Sequence, residues 1–299
     1  MATPSEQYNE LYKRLAEYQV KPEKPKVSFD SVIIPDNDKE AILAAINQAE
    51  NHELIFDKWG FGEIFEKGTA ISMLFYGIPG TGKTLMAQAI ADKLGKKLKV
   101  IGTAEIESSE PGGAERAIKS FFEGCKSDTI LLFDECDSLV YSRENLGSIL
   151  AAQVNQLLSS LEKFTGIVIF TTNRLGHLDE TFNRRLSLKL EFKMPEKSER
   201  INIWKRMFPK KAPLDKDIDW DVLGDFEITG GYIKNAVLRA ARQAASEKAK
   251  KITMKHVGQA LKAEIEAMIE FEDAKVNMPR LAGGAGMSKT STISKVMGR

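Results

Sequence analysis

Only two of the 299 residues are cysteine, Cys125 and Cys136, each within an apolar stretch. That is too little for a disulfide framework and predicts reduced, buried thiols in a cytoplasmic setting. Long apolar runs are missing too, and the Met1 end is polar and acidic where a secretion signal would be basic and then apolar. The expectation is a chain with neither membrane anchor nor leader. Nor does one sign of charge dominate: 43 Lys and Arg face 42 Asp and Glu. Bulk electrostatics therefore give no argument for a nucleic-acid binder or a membrane-surface protein.

What is present suffices for a real core, since 42% of the side chains are hydrophobic, and the length predicts one large domain or two smaller ones. Residues 1–26 place Tyr8, Leu11, Tyr12, Leu15 and Tyr18 at helical spacing before Pro22 and Pro25 break the pattern. They read as a short amphipathic helix and linker, either packed on the main domain or docking an adaptor or neighbouring subunit. From 27 to 194, short β-rich runs at Ile71–Tyr76, Leu98–Gly102, Ile130–Phe133, Ile167–Thr172 and Leu188–Phe192 alternate with helical patterns. Two of these patterns are Leu85, Met86, Ala89, Ile90, Leu94 and Ile149, Ala152, Val154, Leu157, Leu158, Leu161. The expected fold class is α/β, a parallel five-stranded sheet covered by helices. Over 195–272 the β signal vanishes and helical stripes predict a small all-helical lid. Residues 273–299 end the chain in a basic tail rich in Gly, Ser and Thr, expected to be disordered.

The strongest chemical signal is Gly77-Ile-Pro-Gly-Thr-Gly-Lys-Thr84, between a predicted strand and a predicted helix. It matches the phosphate-binding pattern GxxxxGK[ST], in which backbone N–H groups and a helix N-terminus cradle phosphate. Pro79, Gly80, Thr81, Gly82, Lys83, Thr84 and Leu85 are the expected nucleotide contacts, with Lys83 neutralising the β- and γ-phosphates of ATP and Thr84 ligating Mg²⁺. The apolar run Ile130–Phe133 then ends in Asp134 and Glu135. Asp134 is the second expected Mg²⁺ group, and Glu135 is placed to polarise the attacking water, which separates a hydrolase from a passive nucleotide binder. A third apolar run ends at Asn173, which either orients that water or simply caps a turn.

The order of the phosphate loop, Phe133-Asp-Glu-Cys-Asp-Ser138, Thr171-Thr-Asn173 and Leu178-Asp-Glu-Thr-Phe-Asn-Arg-Arg185 resembles the AAA family of the AAA+ superfamily over residues 28–270. The likeness extends to bacterial or phage-type single-ring remodelling ATPases. It implies a homo-oligomer, a hexamer, with nucleotide between subunits and Arg184 and Arg185 as arginine fingers reaching the neighbour's γ-phosphate. It also implies adenine binding near Phe56–Gly62, although core packing of Trp59 is an equal reading.

Three departures matter. Where many family members carry a pore-facing aromatic, this chain aligns Glu110, which puts threading of a polypeptide in doubt and loosely resembles Rubisco activases. The Pro-Gly that usually separates the two finger arginines is missing, so both are carried. Lys234 stands in Thr229-Gly-Gly-Tyr-Ile-Lys234-Asn, where other AAA+ proteins sense phosphate; it either shares that role or faces solvent.

The resulting expectation is ATP hydrolysis coupled to remodelling or disassembly of a protein client whose identity the sequence does not give. A nucleic-acid loader or translocase is the rival, disfavoured by Glu110 and supported only by the basic tail. A Rubisco-activase-like remodeller and a scaffold that binds ATP without turnover are the further alternatives.

Overall fold

The computed structural model describes residues 21–65, 69–106, 112–140, 148–174 and 178–277. The expected N-terminal helix over 8–18, Glu110 and residues 278–299 lie outside these.

The sheet consists of β1 (Ile71–Gly77), β2 (Lys97–Ile101), β3 (Thr129–Phe133), β4 (Ile167–Thr172) and β5 (Leu188–Phe192). They are ordered β2-β3-β4-β1-β5, and every pairing is parallel. β3 and β4 are buried along their whole length, which is why they read as continuous apolar runs rather than alternating ones. Successive side chains still serve opposite faces. Met73, Phe75, Ile130, Leu132, Ile167 and Ile169 pack on one face with α1 (Asp36–Glu50) and α2 (Lys83–Lys93). Leu74, Leu131, Phe133, Val168 and Phe170 pack on the other with α3 (Gly113–Glu123) and α4 (Ser148–Lys163). Leu85, read as part of the buried stripe of α2, is instead on its exposed side, at the turn nearest the phosphate loop. Cys136 is buried as expected; Cys125 is only half-buried, and neither forms a disulfide.

The segment expected as a linker touches the sheet. Glu23 N–H donates to the Leu98 carbonyl at 3.0 Å and the Leu98 N–H returns to Glu23 at 2.8 Å. These two bonds cover part of the outer edge of β2, which would otherwise present unpaired backbone groups.

After β5 the chain becomes all helical, with α5 (Lys197–Met207), α6 (Trp220–Gly224), α7 (Gly230–Ser246) and α8 (Met254–Asn277). Glu196 and Glu199 form a reciprocal capping box that starts α5. Trp204, Ile233, Val237, Leu261 and Ile265 form a core of their own. The buried Arg200 donates to the carbonyls of Gly224 and Pro195, fixing α5 to α6 and to the segment leaving β5. α8 corrects one expectation, because residues 273–277, assigned to the disordered tail, are helical. Glu270-Phe-Glu-Asp-Ala-Lys-Val276 contains no glycine or proline, and Pro279 is the next residue that opposes a helix.

Candidate nucleotide site

The site gathers at the carboxyl ends of β1, β3 and β4, where an open parallel sheet forms a crevice. β1 ends at Gly77, with φ 129°. A Cβ there would lie 2.3 Å from the Phe192 carbonyl oxygen of β5, so only glycine lets the chain turn off the sheet. Gly80 and Gly82 also take positive φ, at 77° and 104°, curling the loop onto the N-terminus of α2. Among the described residues, the N–H groups of Gly80, Thr81 and Gly82 donate to no acceptor. Unpaired donors beside a helix N-terminus form an anion cradle.

Lys83 occupies the mouth of that cradle. Its Nζ donates to the carbonyls of Gly77 at 2.8 Å and Ile78 at 2.9 Å, and Thr81 Oγ1 also donates to Ile78. Only 6% of Lys83 is exposed. Burial pulls its pKa down to about 8, against the opposing pull of Asp134, Glu135 and Asp137. A buried ammonium whose hydrogen-bond partners among the described residues are two carbonyls, with carboxylates acting from further off, suits an incoming anion.

Asp134 continues the line of β3, its N–H donating to the Ile101 carbonyl at 2.9 Å. Its Oδ1 accepts from Thr84 Oγ1 at 2.8 Å and Thr171 Oγ1 at 2.5 Å. One hydroxyl and one carboxylate are hard oxygen donors of the kind Mg²⁺ takes when phosphates complete its shell. Among the described residues no cluster of three or more His, Cys, Asp or Glu could hold a metal alone. Glu135 has φ 54°, in the left-handed region, where a non-glycine residue needs local support. Its N–H donates to Thr171 Oγ1 at 2.9 Å, and Asn173 Nδ2 donates to its Oε1 at 3.3 Å. Asp137 accepts from Thr172 Oγ1 at 2.5 Å and the Asn173 N–H at 3.3 Å, and pairs with Arg174.

The two candidate finger arginines differ. The side chain of Arg184 is 79% exposed and, among the described residues, meets only Glu180, one turn back, at 3.8 Å. Arg185 is bound to Glu162 of α4 and donates to the Thr181 carbonyl at 2.7 Å, while its own carbonyl accepts from Ser72. Lys234 sits on the exposed face of α7. The N-terminus of α7 nevertheless reaches the loop, for Gly231 N–H donates to the Gly80 carbonyl at 2.9 Å. A Cβ on Gly80 would stand 2.6 Å from Thr229 Oγ1, a buried hydroxyl with no partner among the described residues.

Beside the loop, a cavity of about 450 Å³ is lined by Ile33, Ile34, Asp38, Thr81, Met194 and Ile203, among others. None of Phe56–Gly62 lines it. Trp59 and Phe61 are 64% and 46% exposed, so Trp59 does not pack in the core. Gly60, at φ 76°, separates two short helical turns that present these rings outward. Asp137, Thr171 and Gly231 stand inside the motifs read from sequence but were given no role there, and the Ile33–Asp38 segment was not singled out.

A wholly parallel sheet with a phosphate loop leaving its β1 strand and a helical region behind it defines an α/β nucleotide-binding domain of the AAA+ type. Residues 73–194 match the family described as ATPase family associated with various cellular activities (AAA), and the chain carries a domain of that family. It is 30% identical over 230 residues to Protein SAV of Sulfolobus acidocaldarius, covering 74% of this chain and 28% of that protein. A cell division cycle protein 48 homolog of Archaeoglobus fulgidus is 30% identical over 80% of this chain and 33% of its own length. The ATP-dependent zinc metalloprotease FtsH of Lachnoclostridium phytofermentans is 33% identical over 63% of this chain and 35% of its own length. The chain thus spans about a third or less of the first two relatives. Among the described residues no helix is long and apolar enough to cross a membrane.

Proposed function

We propose that this chain hydrolyses ATP as a ring of copies of itself and uses the cycle to remodel or disassemble a protein client. The observation that carries the reading is the convergence of Lys83, Thr84, Asp134, Glu135 and Asn173 at the ends of three adjacent strands. Pro79–Leu85 would wrap the phosphates, and Lys83 would exchange its two carbonyl partners for phosphate oxygens. The base would enter the cavity beside Thr81, whose volume lies in the range of small-molecule pockets. Thr84 and Asp134 would hold Mg²⁺, which when bound withdraws charge from the phosphates. Glu135, steadied by Asn173, accepts a proton as the water oxygen bonds to the γ-phosphorus and the bridging oxygen leaves with ADP.

Arg184 is the finger in this reading, because it is exposed and weakly held, whereas Arg185 is committed to Glu162 within its own chain. Lys234 is too exposed to be assigned more than an auxiliary phosphate contact. The ATP dependence named for FtsH and the ring expected from the AAA resemblance support the proposal, and a cytoplasmic location fits the two free thiols. The test is ATP turnover and oligomer mass for the wild type and Glu135→Gln. Turnover by an ATP-stabilised oligomer, with nucleotide retained but not cleaved by Glu135→Gln, is expected. Undiminished turnover in Glu135→Gln would end the reading.

A further inference from the structure

Thr171 is the last but one residue of β4 and 2% exposed. A threonine in a buried apolar strand usually turns its methyl to the core and bonds its hydroxyl locally. Here the hydroxyl reaches across to the neighbouring strand and is used twice. It donates to Asp134 Oδ1 at 2.5 Å and accepts the Glu135 N–H at 2.9 Å. The Thr171 carbonyl takes the next donor, the Cys136 N–H, at 3.0 Å, and the Cys136 thiol also donates to it. Three consecutive residues after β3 are therefore held by one residue of β4. The middle one is Glu135, whose left-handed backbone would relax if its N–H were not bound. Thr84, the other hydroxyl on Asp134 Oδ1, belongs to α2 and is the group assigned to the cation. Thr171 is the one left to hold the carboxylate.

We propose that Thr171 is a positioning residue for the proposed hydrolysis, its hydroxyl setting the direction of the Asp134 carboxylate and the left-handed turn that aims Glu135. The inference rests on the ATPase reading for its effect on rate, but not for its structural content. Thr171→Val keeps the shape and branching of the side chain and removes only the hydroxyl. A displaced general base loses on the order of 10- to 100-fold in kcat, while KM for ATP, set mainly by the phosphate loop, stays within about threefold. Thr171→Ser restores the hydroxyl and brings kcat back to within about threefold of wild type. A purely packing role would instead make serine, which lacks the methyl, the worse variant.

The second readout needs no nucleotide. Hydrogen exchange of the Glu135 amide, followed by mass spectrometry on peptides covering 133–137, is faster in Thr171→Val by about 10-fold and close to wild type in Thr171→Ser. Should the valine variant not fold, Thr171→Ala serves both measurements. Wild-type kcat and exchange in the valine variant, or a serine variant as slow as valine, would overturn the assignment. A wild type that does not hydrolyse ATP would sink the ATPase reading instead, and the exchange contrast between valine and serine would still decide what Thr171 holds.

Discussion

Replacing each of the adjacent arginines by alanine separates stability from catalysis. Arg185 is half-buried against Glu162 and adds a bond to the Thr181 carbonyl. Charge-assisted bonds are each worth about 1.5–3 kcal/mol when sheltered, and the partial exposure of both partners cuts this to about 1–2 kcal/mol for the whole arrangement. For a domain of this size that lowers Tm by about 2–8 °C. Arg184→Ala removes only a long, exposed pair one turn apart, worth no more than about 0.3 kcal/mol, so its melting curve overlays the wild type. Turnover responds in the opposite sense: Arg184→Ala lowers kcat on the order of 10³-fold, the scale of an arginine finger. Arg185→Ala keeps most of its activity below its new Tm. Differential scanning fluorimetry and a coupled phosphate-release assay on the same preparations give both numbers. Full turnover in Arg184→Ala, or an unchanged Tm in Arg185→Ala, would refute the division of roles.

Lys83, with its pKa near 8, should regain its ordinary pKa when phosphates replace its carbonyl partners. Nucleotide binding then takes up about 0.1 proton at pH 7, about 0.5 at pH 8 and about 0.9 at pH 9, read by calorimetry in buffers of different ionisation heat. Gly77→Ala forces a Cβ into the Phe192 carbonyl at an unfavourable φ and should cost more than about 3 kcal/mol in denaturant unfolding. Thr229→Val removes a buried hydroxyl that has no partner among the described residues, so it should leave stability unchanged or raise it by about 1 kcal/mol.

The strands were legible because a parallel sheet covered on both faces must be written as unbroken β-branched and aromatic runs, as at Ile167–Phe170. The phosphate loop was legible because its glycines are imposed by positive φ and by the closeness of β5. Thr171 was not, since in sequence a threonine in a β run is simply a good strand residue. Its role depends on Asp134 and Glu135, which lie well over thirty residues away and meet it only when β3 pairs with β4. The two arginines were equivalent for the same reason, until Glu162 on α4 claimed one of them. The aromatic loop at Phe56–Gly62 was ambiguous because aromatics signal either burial or binding, and the solvent-facing ring of Trp59 answers only the first of these.

The central claim is that each site is completed by the next copy of the chain, and mixing two inactive variants tests it most directly. Glu135→Gln keeps a good finger beside a dead site, and Arg184→Ala keeps a good site beside a missing finger. In a ring assembled at random from equal parts of the two, about one interface in four joins an intact site to an intact finger. ATP turnover should recover to roughly a quarter of the wild-type rate per chain. If the mixture stays as inactive as its components while still assembling, Arg184 does not act across the interface and the account is wrong.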